Sequence, residues 1–313
     1  MISDFSPIGI FLPTRNNEDT IGRCLSVLNR QDLEQKILII DSSSTDKTVE
    51  IARDLGAEVR IIPQIKFNHG ATREEGRRLL KTRIVVMLTA DAFVQDGQTI
   101  RKLIIPIVED RAAVSYARQI PRKDADVFEA VPRLFNYPPE SQVRGIEDVP
   151  KYGVYTFFCS NSCAAYRNDV LDEINGFESV LTNEDYFAVA RMLQNGYKIA
   201  YAADAVVEHS HNYTISQDFK RYFDTGYVRA ERNWVVKLAG QAEGRGLELF
   251  KLTVKALKIQ NKFLLPRAFF VFFARWFGFR LGYFSIRIPG GINRYFSAQS
   301  LYWKSEYYLK KEQ

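Results

Sequence analysis

The chain has 313 residues, 46% of them hydrophobic, enough to bury a full core, and its formal net charge is +6. Its three cysteines, Cys24, Cys159 and Cys163, exclude a disulfide framework, and no second Cys/His pair stands at zinc spacing from Cys159 and Cys163, so they read as small core residues. The charge is divided: residues 1–215 carry 25 Lys/Arg against 30 Asp/Glu, residues 216–313 carry 18 against 7, and no acidic residue lies between Glu248 and Glu306. Such asymmetry points to a basic module that meets an anionic surface. The opening residues lack a basic start followed by a long apolar run, so a reducing cytoplasm is the expected location.

Strand and helix patterns alternate over the first hundred residues. Ile8–Leu12 reads as a short buried strand, followed by a helical stripe at Ile21, Cys24, Leu25 and Leu28. Ile37–Ile40 is a second strand, and Val49, Ala52 and Leu55 form the next helix face before Gly56. Val59–Ile62 and Ile84–Leu88 supply two more strands with a helix between them. Later come a strand near Thr156–Tyr166, a helix from about Glu184 to Asn195 stopped by Gly196, and strands at Tyr197–Tyr201 and Val206–Glu208. The pattern predicts an α/β fold, a mainly parallel sheet covered on both faces by helices. No GxGxxG or Walker-A sequence occurs.

Chemistry-bearing residues follow the strands: Thr14 and Arg15 after the first, Asp41 after the second, Asp91 after the fourth. In open parallel sheets ligands bind beyond the carboxyl ends of strands, so these side chains should converge on one crevice. Asp41 offers a carboxylate to the imide N–H of thymine or uracil, or caps the following turn. Asp46, after Ser44-Thr45, reads as a helix cap. The adjacent acids Glu184 and Asp185 suit the first turn of a helix, and either could also work on a proton.

The order PTRN, IDSSSTD, TAD, NED and a late HSH over roughly residues 8–215 resembles inverting GT-A glycosyltransferases of family 2. DSSSTD, FNHGATR and HSHNYT are most similar to the bacterial rhamnosyltransferase branch, which uses dTDP-L-rhamnose in surface polysaccharide (O-antigen) synthesis. The resemblance implies the GT-A nucleotide-diphospho-sugar transferase fold. It makes Asp185 the catalytic base and Glu184 the acceptor-positioning residue, and places Thr14, Arg15, Asp41, Arg73 and Asn161 around the nucleotide-sugar. Asp91 matches the second carboxylate of the family's DxD motif, the ligand of a divalent metal (Mg²⁺ or Mn²⁺) that stabilises the departing diphosphate. The sequence departs from that motif at its first carboxylate, replaced by Thr89, and His209 is expected to restore a ligand, with His211 its competitor. A UDP-hexose donor, or a catalytically silent sugar-nucleotide-binding scaffold, are the alternatives.

In the basic tail Lys251, Lys255, Lys258 and Lys262 recur at helical spacing, with Phe250, Leu257 and Leu264 on another face. The run from Phe263 to Phe284 is long enough to span a bilayer, but Arg267, Arg275 and Arg280 interrupt it at a cost of a few kcal/mol each in hydrocarbon. The expectation is therefore a GT-A catalytic domain over 1–215 and a helical, membrane-associating extension over 216–313. That extension would rest on the inner face of the cell membrane, where the acceptor is a lipid-linked saccharide. No nucleic-acid partner is expected.

Overall fold

The computed structural model describes residues 5–239 and 244–312. The strands are β1 Ile8–Thr14, β2 Gln35–Asp41, β3 Glu58–Ile61, β4 Ile84–Leu88, β5 Phe93–Val94, β6 Val114–Ile120, β7 Gln142–Arg144, β8 Cys163–Arg167 and β9 Ile199–Glu208. Through the first two-thirds of the chain run α1 Glu18–Leu28, α2 Thr48–Asp54, α3 His69–Leu80, α4 Thr99–Val108, α5 Val127–Asn136, α6 Val149–Tyr152, α7 Asn168–Glu173 and α8 Glu184–Gln194. The remainder is helical: α9 Ile215–Glu231, α10 Asn233–Ala239, α11 Arg245–Gln260, α12 Leu265–Phe284, α13 Gly290–Phe296 and α14 Glu306–Glu312.

All strands join one sheet in the order β3-β2-β1-β4-β8-β6-β9-β5, with β7 also paired to β9. The half from β3 to β4 is parallel, as the alternating pattern predicts. β8 then runs antiparallel between β4 and β6, making the sheet mixed. Side chains alternate across it with period two. Ile10 and Leu12 of β1 and Val86 and Leu88 of β4 meet the stripes of α1 and α4 on one face. Phe11, Val85 and Met87 point into the opposite layer with Phe187 and Val189 of α8.

Two segments differ from the sequence-based expectation. Residues 153–157 form a 3-10 turn and β8 begins only at Cys163, because the polar run Ser160-Asn161-Ser162 is a loop whose groups bond to the start of α8. The two late strands are one, β9, interrupted by a register shift opposite Ala117 and Arg118.

The C-terminal helices lie on the α8 face: Phe223, Tyr227, Val235, Tyr302 and Trp303 belong to the same core cluster as Phe187. α9 and α12 touch through backbone, since a Cβ on Gly226 would stand 2.0 Å from the carbonyl oxygen of Phe279. Arg275 turns inward from α12 and pairs with buried Asp218 at 2.9 Å, so it leaves the set of outward cations. The outer face of α12 carries Phe269, Phe273 and Phe277, stacked at 6.3 and 5.8 Å and 61%, 48% and 44% exposed, beside exposed Trp276. Among the described residues no helix is long and apolar enough to cross a membrane.

Candidate active site

The carboxyl ends of β1, β2 and β4 open onto a cleft of about 360 Å³ lined by Thr14, Arg15, Ser42, Asn68, Arg73 and Thr89. Arg15 is exposed at its edge. Asp41 lies fully buried beside it and outside the lining set, accepting hydrogen bonds from Thr14 Oγ1 (2.8 Å), the Ser44 N–H (2.8 Å) and Ser44 Oγ. The Asp41 carboxylate thus organises the β2 loop and fixes Thr14. Asp46 accepts from the N–H groups of Glu18 and Thr48, so it ties together the first turns of α1 and α2.

Asp91, in the turn after β4, faces two histidines carried past the end of β9. His209 Nε2 is 3.5 Å from one carboxylate oxygen and His211 Nε2 is 3.2 Å from the other. The three ligand atoms lie within 4.8 Å of one another. His209 Nδ1 stands 3.0 Å from Gln119 Oε1 on β6, an acceptor, so Nδ1 carries the hydrogen and the Nε2 lone pair is directed at Asp91. Burial pushes both imidazoles below their ordinary pKa, and the neighbouring His209 lowers His211 further, to about 4. One carboxylate and two neutral imidazoles form a donor set that fits a divalent cation. The fold brings both histidines to Asp91.

The third group is built by α3 against α8. Asn68 caps α3, its Oδ1 accepting from the Ala71 N–H (3.0 Å), and its Nδ2 donates to the carbonyl of Val180 (2.8 Å). Gly70 lets this end approach the loop before α8, since a Cβ there would fall 1.8 Å from the carbonyl oxygen of Glu178. One turn along, buried Arg73 places Nη1 3.1 Å from Glu184 Oε1. Glu184 also accepts from Asn161 Nδ2 (3.0 Å), so it is buried and fully engaged. Asp185 differs: it remains partly accessible, forms no ion pair among the described residues, and accepts the Asn161 N–H on Oδ2 (3.1 Å) and the Tyr186 N–H on Oδ1 (2.8 Å). Burial and the adjacent Glu184 charge raise its pKa above the usual carboxylate range. A carboxylate in this state takes a proton from a hydroxyl more readily than an ordinary one. Arg73 Nε has no partner among the described residues.

The model for glycosyl transferase family 2 matches residues 9–175, a span that contains β1, β4 and Asp91. The chain belongs to that family. It is 37% identical over 310 residues to the O-antigen chain rhamnosyltransferase RfbN of Salmonella typhimurium, covering 98% of this chain and 99% of that one. It is 38% identical over 280 residues to the O-antigen chain rhamnosyltransferase WbaN of Salmonella anatum, covering 89% of each. Among solved structures, the mannosyltransferase PcManGT of Pyrobaculum calidifontis, determined with GDP-Man and Mn²⁺, superposes with a TM-score of 0.60 at 13% identity over 90% of this chain and 87% of the other. This glycosyltransferase therefore has the GT-A fold, with a helical C-terminal region.

Some residues around the cleft and the Asp91 cluster carry little sequence signal. Gln119, which faces His209, is the penultimate residue of β6, a strand (VSYARQI) with no motif around it. His69 lies inside FNHGATR, where Arg73 draws the attention, and residues 298–302 form a wall of the cleft from a part of the chain that reads only as basic and aromatic.

Proposed function

We propose that this glycosyltransferase moves L-rhamnose from dTDP-L-rhamnose to a hydroxyl of a lipid-linked saccharide during O-antigen synthesis, with inversion. The observation that carries the mechanism is the division of labour between two adjacent carboxylates. Glu184 is spent on Arg73 and Asn161, whereas Asp185 is partly accessible, forms no ion pair among the described residues and is raised in pKa. Asp185 takes the acceptor proton as the hydroxyl attacks the anomeric carbon, and Glu184 holds the acceptor side of the site in place.

Thr14, Arg15 and Arg73 bound the donor cleft, Asp41 holds its floor, and Asn161 joins it to the two acids. The unpartnered Arg73 Nε supports a diphosphate contact, since a phosphate oxygen would satisfy it. Asp91, His209 and His211 would hold Mg²⁺ or Mn²⁺. Such an ion, when bound, neutralises the charge that grows on the leaving diphosphate.

The extension brings the enzyme to its acceptor as a peripheral protein on the inner face of the membrane. Exposed Phe269, Phe273, Phe277 and Trp276 supply an interfacial apolar face, and Lys251, Lys255 and Lys258 on α11 and Lys262 in the turn after it are exposed. The donor is tested by competition among dTDP-L-rhamnose, dTDP-glucose and UDP-glucose, with thermal shift as the binding readout. Preference for dTDP-L-rhamnose is expected; preference for a UDP-sugar overturns the rhamnosyl assignment.

A further inference from the structure

His69 opens α3 on the wall of the cleft, and each ring nitrogen has one polar neighbour. Nδ1 stands 3.2 Å from Arg73 Nη1, and Nε2 stands 3.1 Å from the side-chain amide of Gln299. A guanidinium can only donate, so Nδ1 is the unprotonated nitrogen and Nε2 carries the hydrogen. The Gln299 amide nitrogen placed 3.1 Å from Nε2 would oppose that N–H, so we assign the amide in the flipped orientation, carbonyl oxygen toward the ring; the two ends of an amide are told apart by their partners. Burial drives the imidazole below its ordinary pKa, Glu184 pulls the other way, and Arg73 adds to burial, so the ring is neutral.

Gln299 arrives from the far end of the chain on a segment that is fixed from several sides. The Ala298 N–H donates to Asp224 of α9 (3.0 Å), and the Gln299 N–H donates to Ser297 Oγ (2.9 Å). Tyr302 and Trp303 are buried in the main core, and the Tyr307 hydroxyl donates to the carbonyl of Lys66 (3.2 Å) just before α3. The helical extension therefore reaches across the donor cleft and ends on the ring that touches Arg73.

We propose that Gln299 is a positioning residue of the transfer reaction: by accepting the Nε2 hydrogen of His69 it keeps Nδ1 free to hold the Arg73 guanidinium on Glu184, beside the base. The proposal rests on the reading of Asp185 as that base. The groups that face Asp185 are Glu184 and the Tyr186 N–H on α8, Arg73 on α3, and Cys159, the Asn161 N–H and Tyr166 from the segment before and within β8. Burial keeps the Cys159 thiol and Tyr166 phenol protonated across the neutral range, so the balance between Glu184 and Arg73 sets the local charge. When the His69 ring loses its tautomer, Arg73 slackens, Glu184 is less compensated, and Asp185 holds its proton more tightly.

The test uses the full chain in two readouts. Nitrogen-15 NMR of labelled histidine reports the tautomer of His69, assigned by its loss in His69→Asn. The wild type is expected as the Nε2–H form, and Gln299→Met, of similar volume but with no strong acceptor, as a mixture. The pH dependence of turnover of the preferred nucleotide-sugar is the second readout. Gln299→Met is expected to move its acid limb upward by on the order of half a pH unit. His69→Asn, whose amide oxygen can still accept from Arg73, is expected to keep the limb near wild type, and adding Gln299→Met to it to change nothing more. An Nδ1–H form in the wild type, an unmoved tautomer in Gln299→Met, or an effect of Gln299→Met that persists in the His69→Asn background overturns the proposal. If Asp185→Asn keeps the wild-type limb, the base assignment fails instead, and the NMR arm decides the tautomer separately.

Discussion

Arg73 on α3 and Glu184 at the start of α8 form an ion pair of 3.1 Å in which both side chains are almost completely buried. Two charges in that setting cost several kcal/mol each to desolvate, so removing one partner is worse than never having had the pair. Glu184→Gln should therefore lower stability by roughly 3–5 kcal/mol, and Arg73→Met should do the same by leaving Glu184 uncompensated. Urea unfolding of the two variants checks this, and a loss under about 1 kcal/mol in both would mean the pair is solvated.

Asp185 is the neighbour that the pair leaves free. Asp185→Asn keeps the volume and removes the proton acceptor, so turnover should fall roughly 10²–10⁴-fold while donor binding survives. Single-turnover transfer alongside donor thermal shift separates the two effects. A variant near wild type, with Glu184→Gln inactive but folded, would reverse the roles of the two acids.

The pH profile follows from the same environment. Burial and the Glu184 charge raise the Asp185 pKa, and a base works only when deprotonated. Activity is therefore full above the raised value and falls about tenfold per pH unit below it, starting at a pH where an ordinary carboxylate would still be ionised. Removing the like charge in Glu184→Gln should shift that acid limb downward, measured on whatever folded fraction remains.

Chelation should abolish transfer if Asp91, His209 and His211 hold the metal, and Asp91→Ala should remove metal-dependent donor binding. Gln119→Leu is the more discriminating change. It touches no ligand atom; it frees the His209 tautomer and removes the Gln119 bond to Ser160 Oγ, so metal affinity should weaken by roughly 10–100-fold. Mn²⁺ titration by calorimetry reads it, and an unchanged affinity would take His209 out of the ligand set.

How much of this site could be read beforehand depended on how local each signal was. Strand ends announce themselves through period and burial, so Thr14, Asp41 and Asp91 were legible at them, although only Thr14 of the three lines the cleft. The Asn68-x-Gly70-x-x-Arg73 run was legible as a motif, but its partner was not: the closeness of Gly70 to Glu178 is a fact of tertiary packing that no spacing in the chain encodes. The same holds for Gln299, which reaches His69 only because Tyr302 and Trp303 dock in the main core. Arg275 shows the opposite failure. Within an aromatic run it read as one of three charges interrupting an apolar stretch, and it is consumed by Asp218 inside the α9–α12 contact.

That inward turn changes what the membrane experiment should mutate. The outward cations of the extension include Lys251, Lys255 and Lys258 on α11 and Lys262 just after it, while the apolar contribution comes from Phe269, Phe273 and Phe277, stacked along α12. Lysines near anionic lipid contribute about 1 kcal/mol each and are screened by salt; aromatic insertion is not screened. Replacing the four lysines by Gln should therefore weaken vesicle binding mainly at low salt. Replacing Phe269, Phe273 and Phe277 by Ser should remove the part that survives high salt. Both variants should still turn over donor with a soluble acceptor, because none of these side chains lines the cleft. Arg275→Gln belongs to neither class: it strands buried Asp218 and should lower stability without a specific effect on lipid binding. Co-sedimentation with phosphatidylserine-containing vesicles across a salt series distinguishes these outcomes. If the wild-type chain ignores such vesicles at every salt concentration, the aromatic face of α12 has another partner and the membrane reading falls.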